Sequence, residues 1–363
     1  MKRIICFHLL NDYSGSPKVL RMVLDGLLKR GHRVNLVSSS GGVLDELGGY
    51  DQFKKHSYRY AFSENPAVTM LRYLAIQLYT FFFAFRYLFC KDCVFYINTL
   101  LPMGPALAGR LMGKHVVYHY HENAFVKGAF YKILAWVMQR LAHKIICVSK
   151  YQASFLTREK GVIVVPNALP QKFVEKLSPN PPEAYNCKTV LMLGSLKLYK
   201  GTLEFLELAR RLPEYNFELV INDAQDNIDK FLSQYKIENI SNLSVHSRQS
   251  DVTPFYNRAS LVLNLTDKRQ AIETFGLTVL EAMSAGLPTI VPTEGGIAEM
   301  VQDGVNGYRV DAEHLNDIGR KIYYLLSNED AYIKMAESAH DYAMKYSEAS
   351  MITKLISIID GNK

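Results

Sequence analysis

The 363-residue chain holds one tryptophan, five cysteines and no uninterrupted apolar run of about 18 residues. Without such a run no membrane-spanning helix is expected. Cys6, Cys90, Cys93, Cys147 and Cys187 make no disulfide framework, so a reducing cytosol is the expected compartment. Cys90 and Cys93 have the spacing of a redox or zinc pair, but no second pair accompanies them. Two reduced thiols at a helix-to-strand junction is the simpler reading. The opening residues, "MKRIICFHLL", lack a small-residue cleavage site, which favours a first strand over a signal peptide. Basic residues form no run and no aromatic-interleaved motif, so nucleic acid is the weaker partner.

Charge is unevenly divided. Residues 1–168 carry 22 Lys and Arg against 9 Asp and Glu, a net +13, which leaves −6 for the rest of a chain whose total is +7. A basic half attracts anionic surfaces such as phosphate-bearing lipid; an uneven but solvated surface is the plainer reading. The apolar stretch "YLAIQLYTFFFAF", 73–85, stands between Arg72 and Arg86. Thirteen residues are too few to span a bilayer. An interfacial helix with cationic ends and a buried helix packed on a sheet both remain open.

Strand-like and helical patterns alternate throughout, the mark of α/β architecture. "RIICFHLL" reads as a buried strand, followed by a helix with Ser16 as N-cap, Pro17 at the first helical position and Gly31 as stop. "VFYIN", "HVVYHYH", "KIICVS" and "GVIVVP" read as further strands. The pattern lapses over the Pro- and Asn-rich residues 169–187, expected to link two doubly wound domains at 1–168 and 188–345. It restarts with "TVLMLGS". The helical segment 346–363 packs on its own half or crosses back; periodicity leaves both open.

The segment "ETFGLTVLEAMSAGLPT", 273–289, combines two carboxylates with a helix start. Thr274 is the expected N-cap of a helix from Leu277 to Ala285, and Gly286 and Pro288 end it. Free amides around Phe275, Gly276 and Leu277, at the positive end of the helix dipole, suit phosphate. Gly276 lets a ligand approach the main chain. Glu273 and Glu281 suit vicinal hydroxyls. A nucleoside diphosphate sugar carries all these groups.

Residues 273–310, including Gly295-Gly296 and the turn from Asp303-Gly304 to Gly307, resemble the donor-binding segment of the group 1 (family 4) retaining glycosyltransferases. The resemblance implies two facing Rossmann-like domains of the GT-B type with an interdomain cleft, the first on the acceptor side and the second binding the nucleotide sugar. It implies Glu273 on sugar hydroxyls, Glu281 on the ribose, and Thr274, Phe275, Gly276 and Leu277 against sugar and diphosphate. "GSLKLYKG", 194–201, resembles the stretch whose Arg and Lys neutralise the diphosphate: Lys200 fits, but Ser195 stands where the family has Arg. Lys197, Lys268 or Arg269 could supply the missing cation; solvated surface is the plainer reading of each. His121, followed by Glu122, takes the place of the family's cleft histidine, with Lys200 and Glu273 as its catalytic companions. His119 shares a strand face with His121, but no further ligand stands at metal spacing. Gly15, with Ser14 and Lys18, takes the place of the family's phosphate-approaching glycine loop.

The implied reaction is metal- and cofactor-independent transfer of a sugar, with retention, to a saccharide or lipid-linked acceptor in surface polysaccharide synthesis (capsule, O-antigen or exopolysaccharide). A cytoplasmic enzyme in peripheral contact with an anionic membrane is expected. A sugar-nucleotide epimerase of the same fold and a non-catalytic sugar-nucleotide-binding protein are the alternatives. A cation about 4 Å from the departing diphosphate contributes on the order of 4 kcal/mol at intermediate dielectric, more than the roughly 0.3–1 kcal/mol of a helix terminus. Lys200 therefore outranks the dipole.

Overall fold

The computed structural model describes residues 1–237 and 239–361. The chain divides into two compact units, residues 1–167 with the segment from Ala349 onward, and residues 168–348.

The first unit is built on seven parallel strands: β1 (Arg3–Phe7), β2 (Arg33–Ser39), β3 (Phe53–Tyr58), β4 (Cys93–Asn98), β5 (His115–Tyr120), β6 (Lys144–Cys147) and β7 (Val162–Val164). Their order is β3-β2-β1-β4-β5-β6-β7. The central strands are near-continuous apolar runs because helices cover both faces of a parallel sheet. β3, "FKKHSY", is polar and lies at the edge. The helices are α1 (Gly15–Lys29), α2 (Pro66–Ala84), α3 (Met103–Leu111), α4 (Ala129–Leu141) and α5 (Lys150–Ser154).

Two helix expectations need correction. Ser14, not Ser16, caps α1. The Asp12 carboxylate accepts from the Ser14 amide at 2.9 Å and its hydroxyl at 2.5 Å, which turns the chain into the helix two residues early. α2 starts at Pro66, capped by Asn65, whose side chain accepts from the Ala67 amide at 2.9 Å. With the turn that follows it to Tyr87, α2 is long and apolar enough to cross a membrane by length and composition alone. Arg72 interrupted the run in sequence without ending the helix, and Arg86 falls in the turn that follows it.

The expected linker lies wholly within the second unit. Residues 169–187 carry α6 (Gln171–Val174) and α7 (Pro181–Cys187), and Leu177 and Ala184 join the second core. The sheet holds β8 (Thr189–Gly194), β9 (Asn216–Ile221), β10 (Leu243–His246), β11 (Leu261–Leu263), β12 (Thr289–Val291) and β13 (Gly307–Arg309), all parallel, in the order β10-β9-β8-β11-β12-β13. The remaining helices here are α8 (Thr202–Arg211), α9 (Gln225–Gln234), α10 (Thr253–Asn257), α11 (Leu277–Ser284), α12 (Gly296–Met300), α13 (Leu315–Ser327) and α14 (Glu329–Ala343).

The final helix, α15 (Glu348–Asp360), belongs to the first unit from Ala349 onward. The Lys2 ammonium donates to the Ile359 carbonyl at 3.0 Å and Arg30 to the Thr353 hydroxyl at 2.9 Å.

In each sheet the strand order reverses beside the first strand, between β1 and β4 and between β8 and β11. Loops leaving the carboxyl ends of such a pair diverge and open a crevice, the common ligand position in doubly wound folds.

Candidate functional site

In the second unit, the loop after β8 carries Ser195, Lys197 and Lys200, and the loop after β11 carries Glu273. The strand reversal sets these loops side by side. The Lys200 ammonium forms an ion pair with Glu273 Oε1, and the Thr266 hydroxyl donates to the same oxygen at 3.3 Å. About a quarter of each side chain of the pair remains exposed. Burial pushes the Glu273 carboxyl up, but the Lys200 charge and hydrogen bond, with those of Thr266 and Asn264, hold it below its ordinary value. The site keeps a carboxylate and a cation ready at one place.

Glycines fix this geometry. Gly201 closes the Lys200 turn at φ +80°, where a Cβ would stand 2.4 Å from the Leu265 carbonyl oxygen. Gly276, not Thr274, caps α11, at φ +92°, and a Cβ there would stand 2.6 Å from Ile297. The chain turns through a left-handed residue so that α11 starts tight against α12. Gly296 donates its amide to the Glu273 carbonyl at 2.8 Å, tying the α12 start to the same loop. Phe275 is buried and meets Tyr346 edge-on, so its ring is a packing anchor. Leu277 opens the helix, where amides lack intrahelical acceptors. Glu281, one turn further, accepts from the Tyr256 hydroxyl at 2.6 Å.

The substitute cations separate. Lys268 is held by Asp311 at 2.7 Å and by the Thr293 hydroxyl at 2.8 Å. Arg269 is paired with Asp267 and Glu313. Lys197 is exposed, beside the Tyr199 ring and in the loop of Ser195 itself.

Gly15 and His121 belong to the first unit. Gly15 is exposed and begins α1. His121 directly follows β5, and its Nε2 donates to the Asn98 Oδ1 at 3.1 Å. The Asn98 Nδ2 donates to His8 Nδ1, also at 3.1 Å. These residues end β4 and follow β1, the reversing strands. Burial, reinforced by His119 and His8, holds His121 well below the ordinary imidazole range, so it is neutral. His119 shares its face, with rings 4.1 Å apart, but is buried and shares a hydrogen bond with the Tyr96 hydroxyl through Nδ1 at 2.6 Å. Among the described residues no three His, Cys, Asp or Glu side chains are grouped to hold a metal ion. Cys90 and Cys93 are free thiols.

Sequence reading missed His8, Asn98, Thr266 and Tyr256. The first two close strand-like runs beside the reversal, a signal visible only once strand order is known. Tyr256 reaches Glu281 across 25 residues of sequence, and no local pattern marks it.

The model of the glycosyl transferases group 1 matches residues 173–342, and that of glycosyltransferase family 4 matches residues 13–171. An uncharacterised glycosyltransferase of Methanocaldococcus jannaschii is 25% identical over 272 residues, 72% of this chain and 70% of its own. A trehalose synthase of Thermococcus litoralis is 26% identical over 253 residues, 62% of this chain and 58% of its own. The Anabaena HepE, solved with UDP and glucose and again with UDP-glucose, superposes with a TM-score of 0.77 at 16% identity, covering 99% of this chain and 100% of its own.

Proposed function

Because the chain belongs to the group 1 glycosyltransferases, we propose that it transfers a sugar, with retention of configuration, from a nucleoside diphosphate to a saccharide or lipid-linked acceptor. The observation that carries this reading is the Lys200–Glu273 pair, set beside the start of α11 at the strand reversal of the second unit. The hard step is departure of the diphosphate while positive charge grows on the sugar carbon. The Lys200 ammonium and the amides from Leu277 supply fixed positive potential to the leaving group. Glu273, held ionised, takes sugar hydroxyls. Glu281, steadied by Tyr256, takes the ribose. Lys197 stands in for the arginine that Ser195 replaces. None of these roles requires a metal. In the first unit, neutral His121, held by Asn98, takes the place of the family's catalytic histidine. The acceptor then attacks from the face that the diphosphate leaves.

Surface-polysaccharide assembly at the inner face of the plasma membrane is the setting this reading implies. The Anabaena complexes make UDP-sugars the first donors to try. Thermal-shift screening against UDP-, GDP-, ADP- and dTDP-sugars is expected to single out one nucleotide. Lys200→Ala is expected to remove that stabilisation and to lower kcat/KM about 10²- to 10³-fold, as loss of one preorganised donor to a developing oxyanion does. A variant with unchanged stabilisation and turnover would exclude Lys200 from the diphosphate site.

A further inference from the structure

In the first unit, α2, α3 and α4 pack side by side over one core. The outward side of α2 is apolar along its whole length: Leu71, Leu74, Leu78 and Phe82 are exposed, and Phe85 and Phe89 continue the stripe past its end. Only 28% of the most apolar 18-residue window is buried. α3 adds exposed Leu107 and Leu111, and α4 adds exposed Ile133 and Trp136, the chain's single tryptophan. Isolated exposed leucines are ordinary, but a continuous patch of this kind marks an interaction surface.

Charge says what covers it. Residues 66–150 contain ten Lys and Arg and only two acids, Asp92 and Glu122. Glu122 is turned inward, accepting from the Leu100 amide at 3.0 Å. Arg72, Arg86, Arg110 and Arg140 are exposed beside the apolar stripe. The Arg86 guanidinium lies over the Phe83 ring and that of Arg140 over the indole of Trp136, cation–π contacts that hold both charges at the apolar surface. A second copy of this chain is a poor occupant, since a self-complementary pairing would set two basic layers face to face. A spanning arrangement is excluded by the inner side of α2. Tyr73 donates to the Leu101 carbonyl at 2.9 Å, Gln77 accepts from the Gly104 amide at 2.9 Å, and Phe83 and Ala84 are core. A Cβ at Gly104 would stand 2.2 Å from the Gln77 carbonyl oxygen, so α2 and α3 are locked together.

We propose that the α2–α3–α4 layer is a membrane-docking surface on which α2 lies in the interface of an anionic bilayer, its leucine and phenylalanine stripe among the acyl chains and its arginines at the phosphates. A helix with one apolar face and cationic flanks binds in this way, and each cation near an anionic surface is worth about fivefold in partitioning. An exposed tryptophan on α4 of the same layer suits the polar–apolar boundary. The inference rests on the proposed function only for its purpose, the delivery of the enzyme to a lipid-linked acceptor.

Trp136 is its own reporter. Vesicles of phosphatidylcholine with phosphatidylglycerol are titrated into the full chain at low salt. The emission of Trp136 is expected to shift to the blue, to be quenched by lipids brominated on the acyl chain, and to lose the shift at high salt or with phosphatidylcholine alone. Phe82→Glu, at a residue 67% exposed, is expected to weaken partitioning about 10- to 100-fold with an unchanged melting temperature. Tyr323→Glu, an exposed aromatic of the second unit, is expected to leave it unchanged. Equal binding to neutral vesicles, full binding by Phe82→Glu, or a dimer without vesicle binding that Phe82→Glu dissolves would each overturn the proposal. Nucleotide-sugar thermal shifts on the same samples separate the two readings. Vesicle binding without nucleotide stabilisation retains the surface and removes sugar transfer; the reverse result does the opposite.

Discussion

Glu273 sits under two opposed influences, burial that disfavours its charge and Lys200 that favours it, and the second wins. Its folded value lies below the ordinary 4.5, so folding favours the ionised form. The stability it contributes is complete above about pH 4.5 and is lost as pH falls through the folded value. Glu273→Gln should therefore cost most at neutral pH, about 1 kcal/mol for a pair this exposed. The gap in melting temperature should close as pH drops below 4.5, and a constant gap from pH 7 to pH 3 would show that charge plays no part. Asn98 offers the opposite experiment. Asn98→Asp puts a carboxylate against both His8 and His121. It should raise both imidazoles by about 1 to 3 in pKa. Histidine NMR titration reads the change directly, and unmoved resonances would mean that Asn98 does not govern the charge of His121.

At the scale of elements, legibility followed how many partners a segment has. β1, β4 and β8 are apolar runs bounded by turns, readable because a strand in the middle of a parallel sheet is buried on both faces. β3 was not read: at the sheet edge, "FKKHSY" shows no buried pattern. β12 and β13 are three residues each and, unlike the equally short β7 within "GVIVVP", stand in no longer apolar run. α2 is longer than the apolar stretch 73–85 suggests, because the helix starts at Pro66 and runs through Arg72. The start of α11 was placed within a residue, while its cap was misassigned, since the left-handed turn at Gly276 answers to Ile297 on a different helix. Glu273 and Lys200 were both legible; their pairing depended on strand order. The cap gives a direct test. Gly276→Ala must hold a left-handed backbone and a methyl against Ile297, a cost of at least about 1–2 kcal/mol. In a unit of this size that lowers the melting temperature by roughly 2–8 °C. It should also abolish nucleotide-sugar stabilisation, because the first amides of α11 move with it. Native-like melting and ligand shifts would show that the turn tolerates a side chain.

At the scale of the whole chain, the first unit is closed by residues from both ends of the sequence. Met351, Ile352, Leu355, Ile356, Ile358 and Ile359 of α15 are buried. Burial of six such side chains is worth roughly 9–18 kcal/mol by area transfer, an upper bound because unfolded chains are partly compact. That equals or exceeds the roughly 5–15 kcal/mol that keeps an ordinary domain folded. The contact is close: a Cβ on Gly26 of α1 would meet Ile352 at 2.7 Å. The second unit has its own sheet and a continuous core running from Leu177 to Ala336. Truncation after Ser347 should therefore unfold the first unit and spare the second. Calorimetry should show one transition lost and one kept, and limited trypsin digestion should leave a resistant fragment starting near residue 168. The basic half, with its many lysines and arginines, should be degraded. If both transitions persist at their native temperatures, α15 is an appendage, and the first unit owes its stability to residues 1–167 alone.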